Sequence, residues 1–322
     1  MAETKTRPYL TLIVPVMNEE RSIEPFLKAI NDKLSGLSAD LEILFVDDGS
    51  TDDTRVAIHN AAKDDKRLRY LRLSRNFGKE AALTAGLDHA RGDAVIPMDV
   101  DLQDPPELIH DFLRLWQDGF DTVYALRRTR HEDGKRKRLS AGMFYRTFNR
   151  ISATQIPPNA GDYRLMSRRV VDAIRQMPER NRFMKGMFAW PGYPSTGIEY
   201  DRPARHAGET KWNYWKLWNF AIDGLTSFST WPLRIWSYIG VLIALLSLAY
   251  MSFIILRTLI FGVDWPGYAS IMSAVLFFGS IQLISIGILG EYLGRLYLEA
   301  KTRPVYLLEE TEAPLGSSDA DV

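Results

Sequence analysis

"DAVIPMDVDLQDPPE", residues 93–107, is an apolar run that ends in acid: the stretch through Pro97 reads as a buried strand, and Asp99, Asp101 and Asp104 follow it at once. Pro105 and Pro106 suit the first turn of a helix, so the stretch reads as strand, acidic turn, helix. Three like charges at one strand end repel one another unless they share a cation or a set of donors. That strand end is therefore a candidate site.

Working outward, the same order recurs upstream. "LTLIVPV" precedes a helix from about Ile23, "LEILFVDD" a helix from about Asp52, and "LRYLRLS" the segment "KEAALTAGLDHA". Ser50 with Asp53 three residues later has the form of a capping box at the second of these helices. Continuous apolar strands alternating with helices over residues 1 to about 125 predict a doubly wound α/β unit, Rossmann-like and mostly parallel, with its ligand at the carboxyl ends of the strands. Those ends carry Glu19, Asp47, Asp48, Lys79, Asp99, Asp101 and Asp104, which the pattern brings to one rim.

Composition excludes several classes. Forty Lys and Arg balance forty Asp and Glu, which argues against a nucleic-acid partner. There is no cysteine, so disulfides, thiolate chemistry and Cys-ligated metals are ruled out. G-x-G-x-x-G does not follow the first strand and G-x-x-x-x-G-K-[ST] is absent, which excludes the usual dinucleotide and P-loop phosphate cradles. Asp99 and Asp101, two apart on an extended segment, point to one side, and hard carboxylate oxygens suit Mg²⁺ or Mn²⁺ shared with a diphosphate. A D-x-D alone is also common in solvated loops.

The C-terminal third is different. Residues 235–256 and 265–290 hold no formal charge, about 22 and 26 residues, and each is long enough to cross a hydrocarbon core of roughly 30 Å. With Arg257 and Asp264 in the short connection and Arg234, Arg295, Lys301 and Arg303 on the flanks, the positive-inside rule puts both ends in the cytosol. The expected organisation is a cytosolic catalytic domain over 1–211, an interfacial helix over 212–230, a transmembrane hairpin over 231–296 with spans near 235–258 and 267–292, and a cytosolic tail over 297–322. Trp212, Trp215, Trp218, Trp231 and Trp236 favour the membrane boundary. Residues 139–152 read either as a second interfacial helix or as one facing the core. The N-terminus shows no apolar stretch of signal-peptide length, so the catalytic part is expected to remain cytosolic.

"PVMNEE", "VDDGSTDDT", "SRNFGKEAAL", "MDVDLQDPPE", "GDYRLMSR" and "RHAGETKWN", in this order and ahead of two spans, resemble the family 2 glycosyltransferases of GT-A fold, in particular the polyprenyl-phosphate branch with the bactoprenol glucosyltransferases and dolichol-phosphate mannose synthase. The resemblance implies an inverting hexosyltransferase of the bacterial plasma membrane. It would move one sugar from a UDP-sugar to undecaprenyl or another polyprenyl phosphate at the cytosolic face. It also implies that Pro15, Met17, Glu19, Asp47, Asp48 and Lys79 line the nucleotide pocket, and that Asp99, Val100, Asp101 and Gln103 hold ribose, metal and diphosphate. Arg205 and Lys211 would close over the leaving diphosphate.

Asp162 in "GDYRL" stands where the mannose branch has glycine, which resembles the glucosyl branch and supplies a candidate catalytic carboxylate. In the basic run 127–140, Arg127, Arg136, Arg138 and Ser140, together with Arg164, would seat the acceptor phosphate; the run also suits anionic headgroups. Glucose is the expected sugar, ahead of N-acetylglucosamine, a 4-amino-4-deoxyarabinose derivative and mannose. A processive polysaccharide synthase would need a Q-x-x-R-W motif and more spans, which are not seen. Relatives further imply self-association, as a tetramer, contact with membrane lipids, and a flippase acting on the product in cell-envelope glycosylation.

Overall fold

The computed structural model describes residues 7–128, 155–157, 159–180, 182–201, 231–262 and 267–310. In chain order the elements are β1 (Tyr9–Val16), α1 (Ile23–Lys33), β2 (Asp40–Asp47), α2 (Thr54–Ala62), β3 (Leu68–Leu73), α3 (Lys79–His89), β4 (Ala94–Pro97), α4 (Leu108–Gln117) and β5 (Thr122–Arg127). They continue with β6 (Ala160–Ser167), α5 (Arg168–Arg175), α6 (Met184–Ala189), β7 (Ser195–Tyr200), α7 (Trp231–Phe261), α8 (Tyr268–Ala300) and β8 (Leu308–Glu310).

The strands form one sheet in the order β7-β5-β6-β4-β1-β2-β3-β8. β4, β1, β2 and β3 are mutually parallel, in the predicted arrangement. Both faces of β1 are covered, which is why it reads as a continuous apolar run rather than an alternating one. Leu10, Leu12 and Val14 face a core completed by Phe26 and Ile30 of α1, Ile58 of α2 and Phe112 of α4. Ile13 faces the other core, with Leu83 of α3 and Val170, Val171 and Ile174 of α5. Gly86 lets α3 lie close on that face, since a Cβ there would stand 2.3 Å from Cγ2 of Ile13.

Three strands that the periodicity did not announce decide where the site lies. β6 runs antiparallel to β4, pairing Ala94 with Ser167 and Val95 with Met166, so its first residues sit at the carboxyl end of β4. β5 is antiparallel to β6 and β7 is parallel to β5, so the ends of β5 and β7 reach the same rim.

Three local expectations change. The predicted capping box does not form: α2 starts at Thr54 after Asp53, without a side-chain cap bond, and the Ser50 hydroxyl instead accepts the Asn18 N–H at 2.9 Å. Asp52 does that work by accepting the Thr54 N–H at 3.1 Å. α4 begins at Leu108 rather than Pro105, the prolines forming a turn closed by the Leu108 N–H on the Pro105 carbonyl at 3.2 Å. The tail after α8 is not merely a tail, because β8 pairs antiparallel with β3.

α7 and α8 are 31 and 33 residues long, carry exposed apolar side chains along their lengths and touch one another. Among the described residues one stretch, Ala274–Ala300, is long and apolar enough to cross a membrane, with a mean hydropathy of 1.7. The proposed interfacial segments 139–152 and 212–230 lie outside the described residues.

Candidate active site

The loops at the carboxyl ends of β1, β2 and β3 are laced together by their own polar side chains. Asn18 takes a left-handed conformation and its Oδ1 accepts the Thr51 N–H at 2.8 Å. Glu19 receives the Ser22 hydroxyl at 2.6 Å, and the Asn76 amide donates to Sδ of Met17 at 2.9 Å. Pro15, Met17 and Glu19 thus border an organised rim and remain partly accessible.

Asp47 and Asp48 are held by groups of the protein itself. Asp47 is fully buried and accepts the Ser50 N–H and the Tyr70 hydroxyl, each at 2.7 Å. Asp48 accepts the N–H groups of Phe77 at 2.7 Å and Gly78 at 2.9 Å. Both carboxylates are committed to the protein's own groups and set the shape of the rim. Burial lifts the Asp48 carboxyl above its usual range, against the pull of the two N–H donors. Gly49 is needed between this loop and the next: its φ is +75° and a Cβ would lie 2.7 Å from the Arg75 carbonyl carbon.

The charged centre is at α3, β4 and β6. Lys79, the first residue of α3, places Nζ 2.7 Å from Oδ1 of Asp99 and 3.0 Å from Oδ2 of Asp162, bridging two strand ends. Asp99, Asp104, Arg127, Asp162 and Lys185 line one cleft with it. Burial alone would raise the Asp162 carboxyl, but the positive charges of Lys79 and Lys185, with Arg164 behind, outweigh it and hold the group well below the usual range. Lys79 is held charged by the same pair in reverse: burial favours its neutral form, and Asp162 and Asp99 overcome that.

Beyond Asp99 the chain does not continue extended. Val100 and Asp101 form a turn and Leu102 has φ +55°, because the Asp101 carboxylate folds back to accept the Gln103 N–H at 3.1 Å. The D-x-D is therefore a turn rather than an extended segment. Val100 is buried, and so is Gln103, whose Oε1 has no hydrogen-bond partner among the described residues. The donor set is carboxylate and amide oxygen throughout, which fits a hard divalent ion that takes one or two carboxylates and completes its shell with phosphate and water. Among the described residues no group of three or more acidic, His or Cys side chains is arranged as a closed metal site.

Arg164 is only 4% exposed, donates to the Gly161 carbonyl at 2.6 Å and stacks on the Phe188 ring at 4.4 Å, so its guanidinium is held among the protein's own groups. Arg127 does line the cleft, close to the hydroxyl of Tyr200 at 3.4 Å. That hydroxyl donates to Asp104 at 2.8 Å, and burial together with the Asp104 charge pushes it up to about 12. Arg136, Arg138, Ser140, Arg205 and Lys211 fall outside the described residues.

Lys185, Tyr200 and Glu80 were not singled out by sequence reasoning. Lys185 sits in "MKGMFA", an apolar short helix, and Tyr200 is 96 residues from its partner Asp104, so neither carries a local signal. Glu80 follows Lys79; burial and the Asp162 charge push its carboxyl up to about 7, and its Oε2 is buried without a partner among the described residues.

A mostly parallel α/β sheet with a D-x-D turn, a bridging lysine and a further carboxylate at its carboxyl rim has the form of a GT-A, Rossmann-like transferase. Residues 11–175 match Glycosyl transferase family 2, and residues 231–296 match the GtrB C-terminal hairpin. The chain belongs to glycosyltransferase family 2. It is 53% identical over 94% of its length to an uncharacterized glycosyltransferase of Synechocystis sp., covering 95% of that protein. It is 50% identical to the prophage bactoprenol glucosyl transferase homolog of Escherichia coli, covering 94% of this chain and 99% of that one. Identity to the SfII prophage-derived bactoprenol glucosyl transferase of Shigella flexneri is 49%, over 94% and 98% of the two chains. Among solved structures, glucosyl-3-phosphoglycerate synthase from Mycobacterium tuberculosis overlaps 68% of this chain and 78% of its own at 16% identity, with a TM-score of 0.46.

Proposed function

We propose that this chain transfers one glucose from UDP-glucose to undecaprenyl phosphate at the cytosolic membrane face, with inversion, giving β-linked polyprenyl-phosphate glucose and UDP. The observation that carries the reading is the Lys79 bridge between Asp99 and Asp162, in a chain about half identical, nearly end to end, to bactoprenol glucosyl transferases.

The chemistry follows from the charges. An oxygen of the acceptor phosphate attacks the anomeric carbon, a C–O–P link forms, and the bond to UDP breaks with its electron pair leaving on the diphosphate. A phosphomonoester has a second pKa of about 6 and is mostly dianionic at neutral pH, so almost no proton has to move. A carboxyl held far below that value cannot take the remaining proton, so Asp162 acts by charge and position beside the sugar. Lys79, Lys185 and Arg127 offset the repulsion between Asp162 and two anionic substrates. Asp99 and Asp101 are the residues that would hold Mg²⁺ or Mn²⁺, which when bound neutralises diphosphate charge. Arg205 and Lys211 would close over the leaving UDP, and Arg136, Arg138 and Ser140 would join Arg127 at the acceptor phosphate.

We further infer a two-span hairpin. β8 lies beside β3 in the catalytic sheet, so the chain must return to the side it left, and if α8 crosses the membrane α7 crosses too. At 1.5 Å per residue both helices exceed the roughly 30 Å core.

The test is transfer from radiolabelled UDP-sugars to undecaprenyl phosphate by the full chain in bilayers with Mg²⁺ or Mn²⁺. A lipid-soluble β-linked product from UDP-glucose is expected. An α-linked product, or label in lipid only with another sugar, would overturn the reading.

A further inference from the structure

Away from the catalytic cleft, a groove of about 750 Å³ opens where the end of α8 meets the loop after β3. Arg75, Arg180, Arg295, Lys301 and Arg303 line it, with Glu291 as the acidic residue among them. Glu291 is already paired with Arg295 at 2.8 Å. Among the described residues no carboxylate pairs with Lys301 or Arg303; the Lys301 ammonium instead sits over the Tyr297 ring at 4.2 Å.

The position of these cations matters as much as their number. The exposed apolar surface of α8 continues through Leu293, Leu296 and Leu298 and then stops, and Lys301 and Arg303 follow directly. A cationic cluster at the level where apolar surface ends is where a bilayer places its phosphates. The groove is also fixed in place from both sides. The Arg180 N–H donates to both carboxylate oxygens of Glu299 at 3.0 Å, and the loop wall at Phe77 is tied by its N–H to Asp48.

We propose that this groove is a binding site for the headgroup of an anionic phospholipid of the cytosolic leaflet, separate from the site of sugar transfer. The phosphate lies among Lys301, Arg303 and Arg75, and the acyl chains run down the exposed face of α8. A lipid rather than free phosphate is the occupant, because the cations are continuous with apolar surface that a free anion would leave uncovered. The site rests on the reading of α8 as a membrane span.

The experiment offers the full chain, in neutral detergent, equal amounts of phosphatidylglycerol and phosphatidylcholine and counts retained lipid by native mass spectrometry. Wild type is expected to retain phosphatidylglycerol preferentially. K301Q/R303Q, at two exposed positions, is expected to lose about 25-fold in that preference, about fivefold per cation near an anionic surface. K28Q/K63Q, which removes the same charge far from α8, is expected to behave as wild type. Equal retention of the two lipids by wild type, or unchanged preference in K301Q/R303Q, would overturn the headgroup site while leaving the span intact. Retention of neither lipid would remove the span and the site together. Displacement of phosphatidylglycerol by equimolar undecaprenyl phosphate would assign the groove to the acceptor, and undiminished retention in excess inorganic phosphate is expected.

Discussion

Replacing Lys79 by Met tests the centre of the site, because it removes one charge and keeps the length of the side chain. At an effective dielectric of about 20, a unit pair 3 Å apart interacts by about 5 kcal/mol. The Lys79 side chain is 43% exposed, and solvent screening brings this to about 1–2 kcal/mol for each of its two carboxylates. The loss facing Asp162 alone corresponds to a rise of about one unit in its pKa. The loss facing both leaves two carboxylates turned toward the diphosphate, so turnover should fall roughly 30- to 150-fold, as 2–3 kcal/mol implies. The assay is transfer to undecaprenyl phosphate by the full chain in bilayers across pH 5–9, alongside Lys79→Arg, which keeps the charge and should retain most activity. Stability gives an independent reading. A depressed carboxyl stabilises the fold above its unfolded pKa, and that stabilisation is lost as pH falls through the lower folded value. Lys79→Met should therefore lower the unfolding temperature at pH 7 and still do so near pH 3, the difference closing only in stronger acid as pH falls through the folded value. Wild-type turnover with a superimposable pH profile would refute the role of the bridge.

Asp101→Ala should lower transfer by about 10²–10³-fold with the fold intact, and full activity of this variant in excess chelator would remove the metal assignment. Glu80, pushed up to about 7 from 4.5 by burial and the Asp162 charge, favours the fold while protonated, a contribution lost as pH rises from about 4.5 through 7. Glu80→Gln should accordingly stabilise by about 2–3 kcal/mol at pH 8 and little at pH 4.5; equal shifts at both pH values would show that titration is not the cause. Gly49→Ala meets the Arg75 backbone at a positive φ and should cost about 2 kcal/mol or more in thermal unfolding, whereas an unchanged unfolding temperature would mean that the two loops separate freely.

The parallel half of the sheet could be read from the chain because burial on both faces leaves a local mark: "LTLIVPV" and "LEILFVDD" are apolar without alternation. Lys79 and the D-x-D were recognisable for the same reason, since each follows such a strand. The capping box failed because Ser50 has a competing partner, Asn18, 32 positions away. The extended D-x-D failed because an Asp side chain readily folds onto the backbone two residues on, as Asp101 does with Gln103.

The order of strands and helices, the apolar spans and the acidic strand ends are properties of neighbours along the chain, and the sequence by itself determined them. What only the tertiary structure decided is which distant groups meet. The antiparallel turn of β6 carries Asp162 to Lys79, 83 positions upstream. Burial, not residue type, commits Asp47 and Asp48 to the rim and sets Arg164 behind Asp162. β8 returns to β3 although Leu308–Glu310 is too short to announce a strand. Charges, donors and pairing edges act through space over a few ångströms, and sequence separation carries no record of that distance.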